Sequence, residues 1–310
     1  MVTQTQTQTV NALEIEPAAK LVQELSQTDT VPLWSQMARL NPPMPKPTTI
    51  PHVWHYESLR PYLLRAGNLI KDKEAERRVL LLKNPTTAHR HTAFAMRFII
   101  EGNGGFTAVH GRRIKMQRGD MLLTPSWNWH DHGKDGSGPM IWLDNLNLPA
   151  FQAFPVHFVE HYKHDRYPAE DIDTSDSPIV FPWSKMRARL LAEPGEWVRL
   201  RYLKENNEDV SKALGGAAER LNSGESSVSI RETSSAIYHV IEGQGYSTID
   251  DQKYEWKQGD TFAVPSWCKY QHSALGPDTV YLYRCDDVPM LDRLGFHRVE
   301  GVDPESLVSQ

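Results

Sequence analysis

The sequence predicts an all-β protein built from two copies of one strand-rich domain, preceded by a partly helical arm. Three observations carry this expectation. From about residue 93, short apolar runs (FAMRFII, FTAV, RIKM, MLLTP) are separated by glycine or His-Gly turns, the texture of a sandwich or barrel. A second block of the same texture runs from about residue 197 to 285. The blocks also share landmarks in the same order. The first has Ile100-Glu101-Gly102-Asn103-Gly104, then Gly119-Asp120, then Pro125-Ser126-Trp127; the second has Ile241-Glu242-Gly243-Gln244-Gly245, then Gly259-Asp260, then Pro265-Ser266-Trp267. The first interval is 17 positions in one copy and 16 in the other, and the later glycine precedes the proline by six in both. Chance supplies one such match, not three in sequence.

The elements follow in chain order. Residues 1–80 read as an arm without a core of its own, with residues 1–10 (MVTQTQTQTV) a disordered, solvated tail. Helix-like stretches lie around Leu21 to Leu25 and in KDKEAERRVLLL, whose first part is rich in good helix formers. Between them NPPMPKPTTIP favours extended chain, because proline lacks the N–H that a helix interior needs. Residues 81–160 form the first β-domain. Residues 161–196 are charged and proline-bearing, a linker with a short helix at SKMRARLLAE, and residues 197–298 form the second β-domain.

Composition narrows the class. A chain of 310 residues exceeds the usual single domain, and 39% apolar residues with 9% aromatics is ordinary for a globular protein. The net charge of −5 comes without a basic stripe, which weighs against nucleic acid as a partner. No apolar run approaches bilayer-spanning length, and the first residues lack the pattern of a secretory signal. Cys268 and Cys285 are too few for a disulfide framework, so a reducing cytoplasm is expected.

The chemistry concentrates in His89-Arg90-His91, followed 39 residues later by His130, with His132 close behind. Residues i and i+2 of a strand share a face, so His89 and His91 can aim two imidazoles at one point. His130 follows a strand that ends in a turn, and an antiparallel neighbour can bring it to the same point. Three neutral imidazoles on a β-scaffold suit a divalent first-row metal and leave coordination positions open.

His-x-His, then Glu-Gly-x-Gly, then Gly-Asp-x4-Pro-x4-His resembles the two-part cupin signature. The wording HRHT, RFIIEG, GDMLLTPSWNWHDHG and WLDNLNLP is similar to gentisate 1,2-dioxygenase and its salicylate- and hydroxynaphthoate-cleaving relatives. So are PHVWHYESLRPYL and AERRVLLLKNP in the arm, and SAIYHVIEGQGY and GDTFAVPSWCKYQH in the second block. The resemblance covers roughly residues 32–298. It implies a bicupin, two double-stranded β-helix (jelly-roll) domains, that binds one Fe(II) and no organic cofactor. It also implies a homotetramer whose partners are a small aromatic hydroxy acid and O2. Both oxygen atoms would enter the product, which for gentisate is maleylpyruvate; salicylate, aminosalicylate and 1-hydroxy-2-naphthoate are the alternative substrates.

Carried over by residue, His89, His91 and His130 are the implied Fe(II) ligands. The glutamate that many cupins add is absent, since the neighbourhood reads Phe94-Ala95-Met96. The resemblance turns Arg97 toward the pocket, where its fork suits a substrate carboxylate; a rim ion pair is the structural alternative. His132 is a pocket proton carrier or a structural hydrogen-bonder. Asp144 either orients a ligand histidine or is a surface aspartate. Trp127, with Trp129, is expected in the pocket wall and core, as a substrate contact. In the second copy Ile230, Glu232 and Tyr270 stand where the first has its three histidines, which predicts a metal-free domain. One departure stands out. Asn84-Pro85 reaches His89 through only Thr86, Thr87 and Ala88, where the resemblance implies about two more strands and a glycine at the place of Lys83. Either VLLLKNP replaces a strand, or an unpaired sheet edge loosens the histidines, giving a two-cupin protein of reduced stability and activity or a non-catalytic cupin.

Overall fold

In the computed structural model, which describes residues 12–27, 30–72, 88–135, 138–172 and 177–300, the chain divides after Lys46. The first unit carries α1 (Ala12–Ser26) and α2 (Leu33–Leu40). Leu33, Trp34, Met37 and Leu40 of α2 are exposed. The proline-rich stretch that follows is coil, as the missing N–H groups require.

The second unit starts with β1 (His52–Trp54) and α3 (Tyr56–Asp72). The first β-domain contains β2 (His89–His91), β3 (Ala95–Gly102), β4 (Gly105–Val109), β5 (Arg112–Lys115), β6 (Met121–Thr124), β7 (His130–Lys134) and β8 (Met140–Leu146). Three short strands, β9 (Val159–His161), β10 (Glu170–Asp171) and β11 (Val180–Phe181), and helix α4 (Trp183–Ala192) follow. The second domain contains β12 (Trp197–Arg201), β13 (Gly215–Leu221), β14 (Ala236–Glu242), β15 (Gln244–Ile249), β16 (Gln252–Lys257), β17 (Thr261–Val264), β18 (Tyr270–Ala274), β19 (Val280–Asp286) and helix α5 (Val288–Arg293). The two-cupin, mostly β architecture read from the repeat is present. The arm helix predicted in KDKEAERRVLLL survives in its first two residues as the end of α3; the rest of it, VLLLKNP included, lies outside the described residues, as does the tail 1–10.

The first domain packs a sheet ordered β10-β5-β4-β7-β2-β9 against one ordered β11-β6-β3-β8, sealed by Ile99, Ile114, Met116, Leu122 and Val180. The second packs β1-β17-β14-β19-β13-β12 against β16-β15-β18. Alternation along β3 decides what meets what. Met96 and Phe98 point toward the second domain, where Phe98 stacks on Tyr283 at 4.4 Å, whereas Ile99 looks into its own barrel.

The repeat extends beyond the strands that announced it. β11 pairs with β6, and the Trp183 N–H at the start of α4 donates to Asp120 Oδ1 at 2.9 Å. Equivalently, β1 pairs with β17, and the Tyr56 N–H at the start of α3 donates to Asp260 Oδ1 at 2.8 Å. Gly119 and Gly259 have φ of +87° and +91°, and a Cβ there would stand 2.8 Å from Trp183 and 3.0 Å from Tyr56. Each helix also reaches across the molecule. Arg60 of α3 grips Glu101 of the first domain through Nε (2.7 Å) and Nη2 (2.5 Å), and Arg187 of α4 meets Glu242 of the second at 3.5 Å. A segment of the arm thus completes the second domain, and a segment of the linker completes the first.

Of the two alternatives for the short run before His89, the replacement strand VLLLKNP lies outside the described residues, and the described histidine strand is not an unpaired edge. β2 pairs with β7 on one side (His89 opposite His130) and with β9 on the other (His89 opposite His161, His91 opposite Val159). A strand from beyond the first domain's last long strand, β9, supplies the pairing on the outer side of β2.

The two helix seats differ electrostatically. Asp260 also meets the His55 ring (2.9 Å) and the Lys257 N–H (3.1 Å), whereas burial pushes the Asp120 carboxyl up to about 6. A carboxyl raised in the folded state contributes most below its unfolded value near 4, and that contribution is lost as pH rises through about 6. Asp120→Asn keeps the acceptor for Trp183 and removes the buried charge. It is expected to stabilise the protein at pH 7–8 by roughly 2–3 kcal/mol, with the gain fading by about pH 4. Urea midpoints across that range are the check; a variant less stable at pH 8 than the parent contradicts it.

Candidate metal centre

The triad assembles as strand periodicity requires. His89 and His91 sit two apart on β2, and His130 begins the neighbouring strand β7 directly opposite His89, so all three project from one face. Their ligand atoms all lie within 4.8 Å of one another, and the ring centroids are 4.3 Å (His89–His130), 4.7 Å (His91–His130) and 5.5 Å (His89–His91) apart. Among the described residues this is the cluster with metal-ligand geometry. His91 Nδ1 lies 2.8 Å from the Ala93 carbonyl and His130 Nδ1 lies 2.9 Å from the Asn128 carbonyl. A carbonyl only accepts, so each Nδ1 carries the proton and each Nε2 keeps a lone pair for a metal. Burial lowers both imidazoles, His130 to about 3, so both are neutral at physiological pH. The donor set fits a divalent metal.

Beside the triad lies a polar layer in the barrel interior. Arg97 projects from β3, and its Nη1 approaches the His132 ring, 2.9 Å from Nδ1; Thr107 Oγ1 is also 2.9 Å from that atom. Arg97 Nη2 donates to Asp144 Oδ2 at 2.7 Å, and the guanidinium lies over Trp142 at 5.0 Å. Arg97 Nε is buried without a hydrogen-bond partner. Burial, reinforced by the Arg97 charge, holds His132 well below its ordinary pKa. The defined partner of Asp144 is Arg97, and backbone carbonyls orient His91 and His130, a task the sequence left open for Asp144.

Trp127 is not where the sequence placed it. Odd and even positions of β2 face opposite ways, and Trp127 lies on the side of Arg90, away from the imidazoles. Arg90 lies 4.6 Å from the rings of both Trp127 and Trp129 and pairs with Glu160 at 2.6 Å, while Trp127 packs on Phe158 at 4.6 Å. Its backbone N–H donates to the His91 carbonyl at 2.8 Å. Trp127 clamps the histidine strand from outside rather than facing the metal position.

The second domain occupies the matching place differently. Ile230 bridges Tyr270 as His89 pairs with His130, and Glu232 bridges Val299 as His91 pairs with Val159. Arg284 donates to Glu232 Oε1 (2.8 Å) and to the Tyr270 hydroxyl (3.2 Å), and that hydroxyl donates to the same Oε1 (2.9 Å). A guanidinium therefore engages the side chains at two of the three ligand positions, and its charge holds the Glu232 carboxyl well below the usual range despite burial.

The sequence reading missed β9. It places His161 opposite His89, with ring centroids 6.1 Å apart, and His157 6.2 Å from His91. Only the alternation His157-Phe158-Val159-Glu160-His161 hinted at a strand, and the charged, proline-bearing surroundings concealed it.

Comparison with known proteins agrees with this geometry. The sequence matches the cupin domain family at residues 83–145 and again at 218–283. It is 33% identical to gentisate 1,2-dioxygenase 1 of Aquipseudomonas alcaligenes, over 89% of this chain and 94% of that one. It is 28% identical to the 5-aminosalicylate 1,2-dioxygenase of a Comamonas species, over 90% and 88%. The salicylate 1,2-dioxygenase of Pseudaminobacter salicylatoxidans superposes with a TM-score of 0.79 at 27% identity, over 91% of this chain and 97% of that one.

Proposed function

The chain belongs to the gentisate 1,2-dioxygenase family of cupin oxidoreductases that use O2, and from that premise we propose that it cleaves the ring of gentisate, giving maleylpyruvate, with Fe(II) held by His89, His91 and His130. The observation that carries the reading is the convergence of three imidazoles, two of them fixed as neutral Nε2 donors, beside a buried arginine. When bound there, the metal supplies open coordination positions and the redox chemistry that brings dioxygen and an electron-rich ring to reaction.

The chain's own residues bind and orient. Arg97 offers the positive charge for the substrate carboxylate, and Asp144 holds its guanidinium in place. His132, neutral between Arg97 and Thr107, helps to hold the guanidinium beside the triad. Trp127 and Arg90 stiffen the ligand strand from behind. The reading includes a cytoplasmic homo-oligomer, a tetramer by resemblance; the free buried cysteines and the exposed apolar side of α2 support it.

Salicylate, 5-aminosalicylate and 1-hydroxy-2-naphthoate are the competing substrates, since relatives are named for each. Oxygen uptake by iron-loaded protein with all four acids is the test. Fastest uptake with gentisate, at one iron per chain, is the expected result. No uptake with any of them would sink the proposal, and faster uptake with another acid would reassign the substrate.

A further inference from the structure

The face of the sheet that carries the triad does not end at β2. β9 runs antiparallel beside it, with His161 opposite His89 and Val159 opposite His91. Directly opposed residues of an antiparallel pair project to the same side, so His161 and Val159 share the face of the ligands. His157, two before Val159, has its ring 6.2 Å from that of His91, stacks on Phe151 at 4.9 Å, and places Nδ1 2.9 Å from Thr92 Oγ1. The intervening Phe158 and Glu160 go to the other side, against Trp127 and Arg90, which confirms the alternation. His157, Val159 and His161 are all exposed, so this is the open rim of the metal position rather than its buried wall.

Strand order gives the rim a direction. Across the sheet come β7 with His130 and His132, then β2 with His89 and His91, then β9. Arg97 lies against His132, at the far side of the triad from β9. Two strand spacings, about 10 Å, separate β7 from β9. An aromatic acid anchored by its carboxylate at Arg97 and spanning the triad turns its opposite edge toward the β9 histidines. We propose that His157 and His161 are specificity residues that hydrogen-bond a polar ring substituent remote from the substrate's carboxylate. This favours hydroxybenzoates carrying a second hydroxyl or an amino group over those without one. The inference rests on the assignment of the barrel as an aromatic-acid site. A site that hydrogen-bonds a substrate hydroxyl discriminates against the analogue lacking it, whereas a bare apolar rim does not.

The test compares 2,5-dihydroxybenzoate with 2-hydroxybenzoate in the iron-loaded parent, the His157→Phe/His161→Phe double variant and the His157→Gln/His161→Gln double variant. Phenylalanine keeps bulk without a hydrogen-bonding nitrogen, and glutamine restores a donor and an acceptor. The ratio of affinities for the two acids, read by anaerobic calorimetry and independently as the ratio of kcat/KM, is expected to fall about tenfold in the phenylalanine variant. The fall should come through KM of the dihydroxy acid, iron content should be unchanged, and the glutamine variant should recover most of the ratio. An unchanged ratio in the phenylalanine variant overturns the proposal, as does iron loss that accounts for the change. Calorimetry decides the point even for protein that does not turn over, so failure of the rim assignment is distinct from failure of the dioxygenase reading.

Discussion

Replacing His130 by alanine is expected to empty the protein of metal and to abolish oxygen uptake, while leaving the two-domain fold intact. His130 is the one member of the triad that comes from a separate strand, and it faces both of the others, at 4.3 and 4.7 Å between ring centroids. Two imidazoles two residues apart on one strand hold a divalent ion weakly. Losing merely a hydrogen-bond partner of a metal ligand costs roughly 10–100-fold in affinity, and losing the ligand itself costs more. Among the described residues no second cluster with metal-ligand geometry stands ready to compensate. In the second domain Ile230, Glu232 and Tyr270 stand at the ligand positions, and Arg284 already engages two of them. Elemental analysis should therefore find one metal per chain in the parent and almost none in the variant, with near-parental circular dichroism. Retained metal at the parental stoichiometry, or two metals in the parent, would refute the assignment of the first domain as the sole centre.

The second large effect is predicted at Glu232. Its carboxylate is buried with Arg284, 2.8 Å away, the Tyr270 hydroxyl, and His297 at 3.2 Å. Arg199 and Glu219 continue the network at 2.8 Å. Removing one partner of a buried ion pair costs up to roughly 3–5 kcal/mol, and Arg284 here keeps Asp286 at 3.0 Å as a second carboxylate partner. Glu232→Ala is expected to lower the melting temperature by about ten degrees. Because Glu232 is depressed in the folded state, the parent should lose the same contribution as pH falls below the ordinary carboxylate range near 4.5, so the two proteins converge in acid. The double variant Glu232→Gln/Arg284→Met, which removes both charges, should recover part of the loss. A drop of under about 1 kcal/mol for Glu232→Ala would show that the network contributes little, as many ion pairs do.

These two sites separate what was legible from what was not. Strand existence was legible because short apolar runs such as FAMRFII, bounded by glycine turns, are local signals in the sequence. The duplication was legible because landmark spacing survives where side chains diverge. Both combine at the candidate metal centre, where His-x-His sets two imidazoles on one face and the repeat's landmarks place His130 on the neighbouring strand. The loss of ligands in the second copy followed from the same alignment, but what fills that space did not. Arg284 matches Asp144 in the repeat, and nothing in its own neighbourhood announces that it turns onto Glu232 and Tyr270.

The sequence by itself determined the all-β duplicated architecture, the three histidines and the family to which they belong. Only the tertiary structure decided which distant segment completes which sheet. β1 and α3 join the second domain and β11 and α4 the first, while β9 closes the edge beside the ligands. It also turned Trp127 outward and gave Asp144 to Arg97. The physical reason is that a strand's period is written in adjacent residues, whereas its partner is chosen by backbone hydrogen bonding and burial between residues far apart in the chain. In a short strand such as Val159–His161 the period is a faint signal, and the pairing with β2 is what establishes it.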